Sequence, residues 1–240
     1  DKMKDHALKL GASIVYEEIK SINKVDDNFI VHLMTGGVYE SKGIIIASGA
    51  HHAKLNVQGE EELAGCGVSY CATCDGAFFA DKDVAVVGGG DVAIEDAIFL
   101  SRIARSVTLI HRRNELRGAA SLQEALKKCE NVTILWDTVV EAINGTDTVE
   151  TLSLKNVKDN EDFNLFVSGV FIAVGIIPTN VNIDGLLCDD RGYIFAGEDC
   201  RTNIDRVYAA GDIRTKPLRQ IITAAADGAN AVTSYTEDIS

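Results

Sequence analysis

The feature that most constrains the fold is a strand, a glycine-rich turn and a helix in immediate succession, DVAVVGGGDVAIEDAIFLSRIA at residues 83–104. A second strand (SVTLIHRR), a helix (AASLQEALKKCE) and a third strand (NVTILWD) follow without a long interruption. This β-α-β-α-β alternation is typical of a doubly wound parallel sheet. We therefore expect an α/β fold in this part of the chain.

The flanking segments suggest further elements of both kinds. Residues 1–12 have helical spacing of apolar positions, and SIVYEEIKSINKV and NFIVHLM alternate as strands. GIIIASGA is a continuous apolar run, as in a buried parallel strand. We expect TVETLSLKNV and NLFVSGVFIAVG to form an antiparallel addition, and a helix to begin at about Leu218.

Composition narrows the classes of function. The chain has 240 residues and a formal net charge of −13, which argues against nucleic acid and anionic membranes as partners. No apolar run reaches transmembrane length, and no signal-peptide pattern is present. Six cysteines in 240 residues are too few for a disulfide scaffold, so we expect a cytoplasmic protein.

The glycine-rich turn fits the dinucleotide-binding pattern G-x-G-x-x-A, from Gly88 to Ala93. Gly88 makes the tight turn, Gly90 lets a pyrophosphate approach the backbone, and Ala93 allows close packing of helix and strand. Alone the motif is weak, and a plain tight turn is the alternative. Its position between a strand and a helix favours a nucleotide site.

A basic segment at the end of the next strand indicates which nucleotide binds. An NAD site places an acidic residue there, whereas this chain has His111, Arg112 and Arg113, followed by Arg117. Guanidinium groups suit a 2′-phosphate because they are planar, permanently charged and bind in a bidentate manner. We expect NADPH, with a solvated basic turn as the alternative.

Cys71 and Cys74 form a C-x-x-C pair shortly before the nucleotide motif. A structural zinc site normally has four ligands, and no second pair accompanies this one. Cys66, Cys71 and Cys74 also match a plant-type ferredoxin spacing, but a fourth ligand would have to come from Cys129, Cys188 or Cys200. A redox-active dithiol is favoured, with Asp75 beside it to move the proton. Asp75 as a simple helix-capping acid is the alternative.

Four segments in order, CATCDG, VVGGGDVAIEDA, HRRNELR and RVYAAGDIRTKPLRQIITAAADGANA, closely resemble the low-molecular-weight bacterial thioredoxin reductases. The resemblance implies two Rossmann-like three-layer domains that bind FAD and NADPH. It also implies reduction of thioredoxin through FAD and the C-x-x-C dithiol, and a homodimer. Other members reduce a different disulfide partner. A ferredoxin-linked variant is disfavoured, because the arginine cluster would have no 2′-phosphate to bind.

The resemblance also implies residue roles. Cys74 would face the flavin, Cys71 would attack thioredoxin, and Asp75 would be the acid and base. The nucleotide and flavin contacts implied are Gly88, Gly90, Asp91, Val92, Ala93, His111, Arg112, Arg113, Arg117 and Gly175 for NADPH, and Ala47, Ser48, Gly49, Gly211, Asp212, Arg219, Gln220 and Ile221 for FAD. Cys66, Cys129, Cys188 and Cys200 are expected to be ordinary small residues.

One departure from the family is large. Its members begin with a βαβ unit that carries another G-x-G-x-x-G, and nothing of the kind precedes residue 70 here. We therefore expect an FAD domain in two segments, residues 1–52 and 179–240, incomplete at its N-terminus, and a continuous NADPH domain at residues 53–178. A chain that binds NADPH without flavin or turnover is the alternative.

Overall fold

The computed structural model describes residues 2–239. The chain forms two compact units: unit 1 comprises Asp1–His51 and Ile177–Ser240, and unit 2 comprises His52–Ile176. The helices are α1 (Lys2–Lys9), α2 (Ala72–Asp75), α3 (Asp91–Leu100), α4 (Ala120–Leu126) and α5 (Ile221–Ile239). The strands are β1 (Ile19–Val25), β2 (Asn28–Leu33), β3 (Val38–Ser41), β4 (Ile44–Ile46), β5 (Ala50–His52), β6 (Val68–Ser69), β7 (Asp83–Gly88), β8 (Ser106–Ile110), β9 (Val132–Leu135), β10 (Thr138–Asn144), β11 (Thr151–Asn156), β12 (Asp162–Phe166), β13 (Gly169–Ala173), β14 (Ile176–Pro178) and β15 (Val207–Ala209).

Unit 2 is built on a parallel sheet with strand order β6-β13-β7-β8-β9. Its central strands are buried almost throughout, because they are covered on both faces. One face packs against α3, whose buried residues include Ala93, Ala97 and Leu100. The other packs against the antiparallel sheet β10-β11-β12 through residues such as Leu152 and Leu154. The expected α/β class is confirmed.

Unit 1 contains an antiparallel sheet β1-β2-β3 and a parallel pair formed by β4 and β15. Phe29, Ile46 and Ile194 are among the fully or almost fully buried residues of its main core. The helix α5 buries Asp227, Ala231 and Ser234 at a spacing of four and three residues, which defines one face. GIIIASGA was correctly predicted to contain a parallel strand, since β4 pairs with β15, but only Ile46 of its three residues is buried.

The prediction for NLFVSGVFIAVG was wrong in its second half. β12 joins the antiparallel sheet, but β13 lies in the parallel sheet between β6 and β7. Residues 169–172, the first four of the five residues of β13, are buried. A continuous apolar run of this kind suits a strand that is covered on both faces, not the half-exposed strand of an antiparallel addition.

Two element boundaries were also wrong. β1 begins at Ile19, and the expected strand residues 13–18 are exposed and irregular. β2 ends at Leu33, which pairs with Ile19, so it has no further residue to pair with the segment before Ile19. The helix predicted for residues 119–130 ends at Leu126, which places Cys129 beyond it, and β10 was not predicted.

Candidate functional site

The glycine-rich turn connects β7 to α3, and its first glycine is required by close contacts. Gly88 has φ +156°, and a Cβ there would lie 2.4 Å from the Ala173 carbonyl oxygen and 2.6 Å from Ala93 Cβ. Gly90 is the N-cap of α3, and a Cβ there would meet nothing within 4 Å. The turn is therefore closely packed at Gly88 and open at Gly90. At Gly90 the first N–H groups of α3 are available to an anion.

A cavity of about 420 Å³ lies at the carboxyl ends of β7, β8 and β13, the edge where parallel sheets bind ligands. Of the predicted nucleotide residues, Gly88, His111, Arg112 and Arg117 line it. Sequence reasoning did not assign the remaining lining residues to the site. Apart from Gly89 of the glycine-rich turn, they lie in strands or in loops that carry no motif: Ala53, Lys54, Leu55, Val87, Gly89, Ile110, Thr138, Val139, Val140, Ala173 and Val174.

Within residues 2–239, His111 is the only buried polar side chain that lines this cavity and has an atom without a hydrogen-bond partner. It is only 4% exposed, and its Nε2 has no hydrogen-bond partner. Burial disfavours the imidazolium form and lowers the pKa of His111 below its ordinary value. The ring also contacts Trp136 edge-on, with centroids 6.4 Å apart. A buried, unpartnered nitrogen in a cavity wall is suited to contact a polar ligand.

The three predicted arginines have exposed side chains, and none of them forms an ion pair within the described part of the chain. Arg112 and Arg117 line the cavity, whereas Arg113 does not. The carbonyl of Arg113 instead accepts a hydrogen bond from Asp137 N–H. Two guanidinium groups at the cavity are thus available to a phosphate.

The other predicted nucleotide residues surround the turn. Asp91 Oδ1 accepts a hydrogen bond from Ala119 N–H at 2.7 Å, and Val92 is 53% exposed on α3. Gly175 has φ +142°, and its carbonyl accepts a hydrogen bond from Ala53 N–H at 2.9 Å. Gly175 therefore fixes the loop that brings Ala53 to the cavity.

Cys71 and Cys74 are joined by a disulfide bond at the start of α2. Cys71 is the N-cap residue, and its Sγ accepts a hydrogen bond from Cys74 N–H at 3.2 Å. Cys71 is half-buried, while Cys74 is exposed. A sulfur at a helix N-terminus is stabilised as a thiolate when the bond is reduced, because N–H dipoles point at it.

Ser69 connects Asp75 to the disulfide. Its hydroxyl donates to Asp75 Oδ2 at 2.6 Å, and its Oγ accepts from Cys71 N–H at 3.1 Å. Ser69 therefore links the carboxylate of Asp75, the last residue of α2, to the N-cap residue Cys71. Sequence reasoning did not single out Ser69. This arrangement suits a group that exchanges a proton with a neighbouring thiol.

In unit 1, the segment after β4 contains three of the predicted flavin residues. Ser48 Oγ donates to the Thr179 carbonyl at 2.5 Å, and Gly49, with φ +71°, accepts a hydrogen bond from Thr179 N–H. Ala47 is exposed beside them. The hydroxyl of Ser48 thus has a structural partner in the same unit.

Gly211 and Asp212 open a short 3-10 helix after β15. Gly211 has φ +79°, which favours glycine, and Asp212 Oδ1 is buried without a hydrogen-bond partner. An orphaned carboxylate oxygen in a folded protein indicates a missing polar partner. The residues present therefore fit a hydroxyl-bearing cofactor such as the ribityl part of FAD.

A buried charged cluster, Arg214, Lys216 and Asp227, lies behind this turn and was not predicted. Asp227 accepts hydrogen bonds from Gly211 N–H, Arg214 Nε and Nη2, and Lys216 Nζ, at 2.7–2.9 Å. Burial alone would raise the pKa of Asp227, but these hydrogen bonds together hold it well below its ordinary value. The cluster thus fixes the backbone at Gly211.

The last predicted flavin residues precede and begin α5. Arg219 stacks over the Tyr193 ring at 3.9 Å and donates weakly to the Asp212 and Arg214 carbonyls. Gln220 N–H donates to Thr223 Oγ1, and Ile221 is 84% exposed. Ile221 is therefore available to a ligand, while Arg219 already has a protein partner.

The remaining cysteines are free: Cys66, Cys129, Cys188 and Cys200. Burial raises the pKa of Cys200, which is fully buried. Residues 2–239 contain no cluster of three His, Cys, Asp or Glu side chains that could hold a metal ion. The helices within this range include none long and apolar enough to cross a membrane.

Comparison with known proteins identifies the family. Residues 5–228 match the model of the pyridine nucleotide-disulphide oxidoreductases. The whole chain is 41% identical to a thioredoxin reductase of Treponema pallidum and 43% identical to one of Listeria monocytogenes, and it spans 78% and 76% of their lengths. Solved structures of thioredoxin reductases from Streptococcus pyogenes (40% identity) and Giardia duodenalis (32%) both match with a TM-score of 0.93; the match covers 99% of this chain and 78% and 79% of theirs. The chain belongs to the thioredoxin reductases of the pyridine nucleotide-disulphide oxidoreductase family.

Proposed function

We propose that the chain is an NADPH-dependent flavin disulfide reductase that reduces thioredoxin through FAD and the Cys71–Cys74 dithiol. The observation that carries the proposal is the joint presence, in unit 2, of this disulfide and the cavity with Arg112 and Arg117. A nucleotide reductant and a redox-active disulfide are the two reactants that such an enzyme connects.

The exchange with the partner follows from the chemistry of two neighbouring thiols. The Cys71 thiolate attacks one sulfur of the partner disulfide and forms a mixed disulfide, and the partner's other sulfur leaves as a thiolate. The Cys74 thiolate then attacks Cys71 Sγ, which releases the reduced partner and restores the Cys71–Cys74 bond. Asp75, held by Ser69, accepts and returns the proton of the thiol.

NADPH returns two electrons to the disulfide, so that NADPH, a proton and the disulfide give NADP⁺ and the dithiol. FAD, when bound, supplies the two-electron transfer between the nicotinamide and the disulfide. Arg112 and Arg117 would bind the 2′-phosphate, assisted by Arg113, and the N-terminus of α3 the pyrophosphate. The Asp212 carboxylate would hold a flavin hydroxyl, because its Oδ1 is otherwise unpartnered.

The test is the visible absorption spectrum of the purified chain, supplied with FAD, before and after addition of NADPH. We expect a bound flavin band that bleaches with NADPH, followed by reduction of added thioredoxin. A chain that takes up no flavin but binds NADPH would support the flavin-free alternative and contradict the proposal.

Serine variants of the two cysteines sharpen the same experiment. The Cys74→Ser variant should trap a mixed disulfide with thioredoxin, because nothing attacks Cys71 Sγ afterwards, and Cys71→Ser should trap none. Both variants should lose turnover. If Cys71→Ser were the variant that accumulates the mixed disulfide, the assigned order of attack would be wrong. Replacement of thioredoxin by other disulfide proteins identifies the partner class.

A further inference from the structure

The segment that carries the arginines, residues 112–119, is called the arginine loop below. Three successive residues of it lie against the glycine-rich turn and α3. Arg117 N–H donates to the Gly89 carbonyl at 2.7 Å, and Ala119 N–H donates to Asp91 Oδ1 at 2.7 Å. Between them, a Cβ at Gly118 would lie 2.4 Å from Ile94 Cδ1. The main chain of the arginine loop is therefore in direct contact with the glycine-rich turn.

Gln123 holds the loop from its other side. This half-buried residue of α4 donates its Nε2 to the Gly118 carbonyl at 2.7 Å and, more weakly, to the Leu116 carbonyl at 3.4 Å. One amide nitrogen thus serves two carbonyls that enclose Arg117. Gln123 does not line the nucleotide cavity, so its polar contacts are with the loop backbone and not with the cavity.

The guanidinium groups of Arg112 and Arg117 have no such support. Both side chains are exposed and form no ion pair with a residue of the described chain. A long side chain without contacts takes its position from its backbone and loses rotamer freedom when it binds. Where the loop backbone lies therefore determines how favourably the guanidinium groups meet a phosphate.

We propose that Asp91 and Gln123 are positioning residues that set the preference for NADPH over NADH. They hold the arginine loop in place, and the loop presents Arg112 and Arg117 to the 2′-phosphate. NADH lacks only that phosphate, so a loosened loop weakens NADPH binding and leaves NADH binding largely unchanged. The inference rests on the proposed NADPH site and adds two residues that determine its specificity.

The experiment measures Kd for NADPH and for NADH with the full chain. Trp136 is the only tryptophan and contacts His111 in the cavity wall, so quenching of its fluorescence reports binding. Gln123→Met keeps the length and helix propensity of the side chain but removes both hydrogen bonds. We expect the NADH-to-NADPH ratio of Kd values to fall about three- to tenfold in Gln123→Met and in Asp91→Ala.

Two further variants distinguish a role in positioning the arginine loop from a general loss of folded structure. Asp91→Asn keeps an Oδ1 acceptor for Ala119 N–H and should retain the ratio, even where the lost charge changes both affinities. Glu124→Met, on the exposed side of α4, is the matched control for Gln123→Met and should retain it too. Circular dichroism establishes that each variant is folded; if Gln123→Met is not, the Asp91→Ala and Asp91→Asn pair decides.

The outcomes for the inference and for the proposed function differ. A wild-type chain that prefers NADPH, together with folded Gln123→Met and Asp91→Ala variants of unchanged ratio, would overturn the positioning role and leave the NADPH site intact. A wild-type chain that binds NADPH and NADH equally would overturn the NADPH assignment itself.

Discussion

At the scale of single residues, three adjacent glycines would meet different surroundings if each gained a methyl group. A Cβ at Gly89 would lie 2.2 Å from the His111 ring, whereas one at Gly90 would meet nothing within 4 Å. We expect Gly89→Ala to lower the free energy of unfolding by about 1–3 kcal/mol, the usual cost of overpacking. Gly90→Ala should change it by less than about 1 kcal/mol and still weaken NADPH binding, because the methyl group obstructs the open side of the turn.

Urea denaturation and NADPH titration of both variants check this prediction. The expected result is a separation, with loss of stability at Gly89 and loss of affinity at Gly90. Equal stability of the two variants would show that the His111 ring moves aside without cost.

At the scale of elements, α3 carries a partly buried acid that the proposed reaction does not use. Burial, and to a smaller degree Glu95, raises the pKa of Asp96 from 3.8 to about 6. The unfolded chain therefore loses this proton at a lower pH than the folded chain. The stabilising effect of the neutral carboxyl is complete below about pH 4 and is lost as the pH rises through 6.

The Asp96→Asn variant removes this dependence. Two pKa units correspond to about 2–3 kcal/mol, so the variant should be more stable than wild type by roughly that amount at pH 8 and about equal to it at pH 4. Urea denaturation at the two pH values measures the difference. Glu95→Gln, at the exposed neighbouring position, is the control and should show only a small change. A pH-independent difference in Asp96→Asn would contradict the raised pKa.

The elements also show what the sequence can and cannot predict. The turn from Gly88 to Ala93 and the helix α3 were predictable, because a local motif fixes strand, turn and helix together. The placement of β13 between β6 and β7 was not, since a run such as GVFIA fits any doubly covered strand and its neighbours are distant in sequence. Arg112 and Arg117 were identified by charge, whereas Lys54 and Val174 reach the cavity through tertiary structure alone.

At the scale of the whole molecule, the two units have separate hydrophobic cores, and Trp136 lies in unit 2. Asp227→Asn would leave the buried Lys216 without a carboxylate and Arg214 with only the exposed Glu198 as an acidic partner, at a cost of about 3–5 kcal/mol. We expect circular dichroism to show an earlier unfolding transition for this variant, while the transition seen by Trp136 fluorescence stays in place.

Asp190→Asn removes an exposed acid from unit 1 and should leave both transitions unchanged. If Trp136 fluorescence and circular dichroism shifted together in Asp227→Asn, the units would unfold as one. Coincident transitions of that kind are the usual sign of a single cooperative unit.

The pairing of β4 with β15 has a consequence for synthesis on the ribosome. The chain passes through all of unit 2 between these strands, so Ile44–Ile46 leave the exit tunnel long before Val207–Ala209 are made. Unit 2 can complete its fold during that interval, whereas the edge of β4 that later pairs with β15 has no hydrogen-bonding partner strand. Once unit 2 is folded, it replaces a long flexible connection by a compact one and lowers the entropic cost of joining the two strands. Slow translation within unit 2 would therefore lengthen the period in which the isoleucine strand is exposed to chaperones and to aggregation.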